Sequence, residues 1–88
     1  MYISQGDPMD IGMIQAKVNE IVIHQLELPQ TVLDTNVELS ALGADFLDII
    51  EMVMRVEEQF GLEISDDDAD GFATIAHIVA YVASHQKE

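Results

Sequence analysis

The feature that most constrains this chain is a helical rhythm of apolar residues with no sustained two-residue alternation. In the first half, Ile11, Ile14, Val18, Ile21, Val22 and Gln25 recur at three- and four-residue steps, which gathers the apolar members on one helix face. The spacing predicts a first helix from about Asp10, a suitable N-cap, to Leu28, where Pro29 forces its predecessor out of helical geometry. A second helix is predicted over Phe46–Phe60, capped by Asp45, with Asp48 at its positive end and Gly61 as its stop. A short helical turn is expected near Asp67–Gly71. The last helix is expected from Thr74 to Ser84, with Ile75, Ile78, Val79 and Val82 inward. Between the first two helices, residues 29–44 form a long connection. Val32, Leu33, Val37, Leu39 and Leu42 are expected to pin it across the core, and loops of this length are often functional.

At 88 residues the chain has room for one small domain, taken as residues 10–86 behind a loose leader at 1–9. The leader has no periodic pattern; Met9 offers an alternative start, and a cloning scar is a further reading of Gly6-Asp7-Pro8. A core this thin leaves no space for a deep active site, and no enzymatic activity is expected. Cysteine is absent, so disulfides and thiol nucleophiles are excluded. No apolar run approaches the roughly 20 residues of a membrane span, and the start lacks a signal-peptide pattern, so a cytoplasmic location is expected. Seventeen acidic residues oppose Lys17, Arg55 and Lys87, for a net charge of −14. Such a surface repels nucleic acid and anionic membrane and steers toward basic protein.

The second helix has more apolar residues than one core face needs. Ile49, Val53, Val56 and Phe60 form one stripe, suited to the core. Leu47, Ile50 and Met54 form another about 100° away, fringed by Asp48, Glu51, Glu57 and Glu58. Either both stripes are internal or the second is a docking face, its apolar members giving contact and its acids orientation.

The run LGADFLDIIEMVMRVEEQFG at 42–61, followed by LEISDDDAD at 62–70 and Thr74 opening the last helix, resembles the acyl carrier protein signature. The resemblance covers about Asp10 to Ser84. It implies an all-α, four-helix bundle with a long loop between helices one and two and a short third helix. It also implies a carrier role in fatty-acid or polyketide synthesis, with 4′-phosphopantetheine as the prosthetic arm. The implied partners are basic faces of ketosynthases, acyltransferases and phosphopantetheinyl transferases, met by a monomer. The docking residues carried over are Asp45, Leu47, Asp48, Glu51, Met54, Glu57 and Glu58, with Ile64 and Asp66 nearby.

One position departs. The family motif reads Asp-Ser-Leu, and here it reads Asp45-Phe46-Leu47. The family's serine hydroxyl forms the phosphodiester to the arm, and phenylalanine has no oxygen to offer. Ser40, Ser65 and Thr74 are the nearby hydroxyls, and none sits at the start of helix two between an Asp and a Leu. Carriage by the family's route is therefore expected to be disabled. Phe46 itself is open to three readings: a bare substitution, a plug at the mouth of an acyl cavity, or a contact for a partner enzyme. Natural scaffolding or regulation is the alternative function.

A rival class remains. Asp66, Asp68, Asp70 and Gly71 match the first half of an EF-hand loop, which would make a divalent-cation-responsive module. The second half departs, with His77 where a bidentate Glu is needed. His24 is expected to balance charge at the end of helix one, and His85 to fray.

Overall fold

In a computed structural model that describes residues 10–86, helix α1 (Ile11–Leu26) starts where the Asp10 side chain accepts the Met13 N–H at 2.8 Å. Ile14, Val18, Ile21 and Val22 are buried along one face, as the spacing predicts, and Ile23 joins them. The helix stops two residues short of Leu28. Pro29 restricts Leu28 to extended geometry, and Glu27 turns left-handed at φ 54°. The N–H groups of Glu27 and Leu28 then both close on the Ile23 carbonyl. Helix α2 (Phe46–Phe60) ends in the same way, with Gly61 at φ 67° and both Gly61 and Leu62 donating to the Glu57 carbonyl. Glycine takes that conformation without the steric penalty that Glu27 bears. Residues 1–9, read as a leader, lie outside the described residues, as does Lys87.

The connection from α1 to α2 is held at three places. Asn19 of α1 donates to the Thr31 carbonyl and accepts the Leu33 N–H, both at 2.8 Å. Leu39 is fully buried and opens a 3₁₀ turn (Leu39–Leu42) that sequence periodicity did not announce. Its N–H reaches the Ala73 carbonyl at 2.8 Å, while Ala76 donates to Thr35, which ties the loop to the far end of the chain. Leu33 and Leu42 pack on the core and Val37 is half-buried. Val32 is not an anchor: the Asn19 bonds fix the backbone on either side and leave its side chain in solvent.

Helix α3 (Asp66–Ala69) is a single turn capped by Ser65, and α4 (Ile75–Ser84) is capped by Thr74. Helix α1 packs against both α4 and α2, so that Ile14, Val18 and Val22 share one apolar core with Met52 and Val56 of α2 and Ile75, Ile78 and Val82 of α4. Leu62, Ile64 and Phe72 close it beneath α3. The described residues thus form four helices and no sheet, with one isolated bridge between Glu38 and Thr74. This is the all-α, four-helix architecture that the sequence implies. His85 does not fray: its ring stacks on Tyr81 at 3.9 Å between centroids, and its N–H caps α4.

Candidate functional site

The start of α2 is built by two aspartates. Asp45 accepts the Asp48 N–H at 2.8 Å, and Asp48 accepts the Asp45 N–H at 3.1 Å, a reciprocal cap that satisfies two otherwise orphaned donors. The bond from the Asp45 N–H, with another from Gln25, holds the Asp48 carboxyl below the ordinary carboxylate range. Between them, Phe46 is the first residue of the helix and 74% exposed. It takes no part in the cap.

From that point α2 presents two faces. Ile49, Val53 and Phe60 pack against the core and Met52 and Val56 are buried in it. Met52 belongs to this face although the four-three-four spacing passes over it, because an inward stripe is wide enough for adjacent positions. The other face is in solvent: Leu47 is 65% exposed, Ile50 40% and Met54 54%. The two stripes are therefore not both internal.

The acids around the outer stripe divide into three kinds. Asp48 and Glu51 are both gripped by the Gln25 amide of α1, which donates to each. The sequence places Gln25 on the α1 stripe but gives no sign of this grip beyond a polar residue at an otherwise apolar position. Glu57 is half-buried and accepts the Ile64 N–H at 2.8 Å, so it shapes the turn after α2 as well as edging the face. Glu58 and Asp66 are exposed. Ile64 is mostly buried, packed in the core with Leu62 where the chain turns back after α2.

Beside the outer stripe, between α2 and α3, lies a cleft of about 450 Å³ whose lining includes Phe46, Ile50, Val53, Ile64 and Ala69, with Asp66 and Asp70. Phe46 forms part of its wall and, at 74% exposure, does not plug it. The hydroxyls near the site are engaged elsewhere. Ser65 accepts the Asp68 N–H as the cap of α3, and Thr74 accepts the His77 N–H as the cap of α4. Ser40 sits in the 3₁₀ turn, 3.5 Å from Glu38. No oxygen nucleophile stands at the first residue of α2.

Asp66, Asp68 and Asp70 do not converge. A helical turn sends residues two apart to nearly opposite sides, and Asp68 instead accepts the Tyr81 hydroxyl at 3.1 Å. Burial, then the Asp68 bond and charge, push the Tyr81 phenol up. Among the described residues no group of three or more His, Asp or Glu is placed to hold a metal ion. His24 pairs with Glu20 one turn earlier on α1 at 3.6 Å, when protonated.

Residues 16–82 match the family model of the phosphopantetheine attachment site, so 4′-phosphopantetheine is the prosthetic group this family implies. The side chain at position 46 does not fit its attachment. An acyl carrier protein of Syntrophobacter fumaroxidans is 38% identical over 80 residues, which span 89% of this chain and 98% of that relative. One from Wolinella succinogenes is 37% identical over 70 residues, 78% of this chain and 92% of the relative. The solution structure of a putative acyl carrier protein from Anaplasma phagocytophilum superposes with a TM-score of 0.78 at 34% identity, over 93% of this chain and 99% of that one. The crystal structure of an acyl carrier protein from Thermotoga maritima gives 0.75 at 25% identity, over 86% and 89%. With this architecture and these relatives, the chain belongs to the acyl carrier protein family.

Proposed function

We propose that this protein is a carrier-type docking module of fatty-acid or polyketide synthesis whose own acyl carriage is disabled at Phe46. It would work as a monomer in the cytoplasm, as the single domain 10–86, and take no catalytic part. The observation that carries the reading is the outer face of α2. Three exposed apolar side chains, Leu47, Ile50 and Met54, are edged by Asp48, Glu51 and Glu58 on a chain of net charge −14. The apolar members give contact area, while the acids orient and accelerate approach to a basic surface. Asp45 and Asp48 fix the first turn of that face, and Gln25 holds two of its carboxylates in place.

The retained face at a position without a nucleophile favours a second form of the same reading, a natural scaffold or regulator that binds synthesis enzymes without loading. Both forms require binding to a basic face of a ketosynthase, acyltransferase or phosphopantetheinyl transferase. Calorimetric titration of the unmodified chain onto a fatty-acid ketosynthase, at low and moderate salt, tests it. Affinity should fall as salt rises and fall again in Glu58→Lys. Binding indifferent to both would refute electrostatic docking through α2.

A further inference from the structure

Phe46 is the most exposed of the large apolar side chains on α2, on the first turn of a helix whose start is rigidly capped. With Leu47, Ile50 and Met54 it makes a stripe of steps one, three and four, about 12 Å long at the helical rise. That is the pattern by which an amphipathic helix enters a groove. The ring does no detectable work within the fold, being outside both the cap and the buried core. Interfaces place aromatic side chains at their centre, with a polar rim around them. Asp45, Asp48, Asp66 and Asp70 supply that rim here.

Charge selects the occupant of this face. A second copy would bring another net −14 against it, and nucleic acid or an anionic bilayer would be repelled in the same way. The complementary surface is a protein one, basic at its edge and recessed and apolar at its centre. We infer that Phe46 is the anchoring residue of such an interface, so that the chain binds without an arm and competes with arm-bearing carriers for the same partner surface. This rests on the docking reading above and adds to it the identity of the central contact and its consequence, inhibition by occupancy.

The test is steady-state turnover of an arm-bearing acyl carrier protein by a fatty-acid ketosynthase, with this chain added unmodified. The native chain should raise the apparent KM for the carrier and leave kcat unchanged. Phe46→Ser should inhibit about tenfold to a hundredfold more weakly, the range that burying one phenyl ring supplies, and Phe46→Leu should fall between. Because the ring is exposed, helicity and melting should be unchanged in both variants, which circular dichroism checks. Leu47→Lys/Met54→Lys serves as the docking control. Equal inhibition by native and Phe46→Ser, with loss in the control, overturns the anchor and leaves docking intact. Inhibition absent from every form, or unchanged in the control, overturns the docking reading itself.

Discussion

Gln25 shows how a single side chain joins the fold to the candidate site. Its amide donates to Asp48 and Glu51, while its own Oε1 is buried without a partner. An unmatched buried acceptor destabilises, so the grip on the two acids is maintained against a local cost. Replacing it with methionine, similar in shape and without polar atoms, should leave the fold stable and move the Asp48 pKa up toward its ordinary 3.8. The bond from the Asp45 N–H is the larger cause of the lowering, so the pKa should stay somewhat below that value. A carboxyl lowered in the folded state contributes stability above its unfolded pKa and loses it as pH falls through the folded one. Gln25→Met should therefore flatten the acid limb of stability below about pH 4. Carboxyl-detected NMR titration of Asp48 checks it, and an unmoved pKa would sever the link.

Helix α2 has a buried apolar side and an exposed one, and two of its methionines separate them. Met52 is fully buried and Met54 is half in solvent. Met52→Ala should cost about 2–5 kcal/mol in denaturant unfolding, whereas Met54→Ala should change stability by less than about 0.5 kcal/mol. Similar losses at both would mean that the outer stripe is internal after all. The ends of this helix were legible because their signals are local: Asp45 before it and Gly61 after it. What escaped the sequence depends on contacts distant along the chain. The 3₁₀ turn at Leu39 exists because Leu39 reaches the core and its N–H reaches Ala73. The burial of Ile64 and the bond from its N–H to Glu57 likewise depend on how the chain turns back after α2. The early stop of α1 follows from a left-handed Glu27, a conformation that glutamate does not advertise.

For the whole molecule, charge sets the terms. With Lys17 and Arg55 the only Lys or Arg among the described residues, net repulsion strains the compact state at neutral pH and low salt. Melting temperature should rise as sodium chloride screens it. Modest acidification should do the same until the loss at Asp48 reverses the trend. A melting profile flat in salt would contradict this. The same acidity, laid around an outer apolar stripe, is what the proposed docking on a basic enzyme face relies on, and Phe46 is where binding and loading would part. The most direct test is intact-protein mass after incubation with coenzyme A and a promiscuous phosphopantetheinyl transferase, native chain beside Phe46→Ser. Only Phe46→Ser should gain the mass of one phosphopantetheine. A native chain that gains it would place the arm on another hydroxyl and contradict the account at its centre.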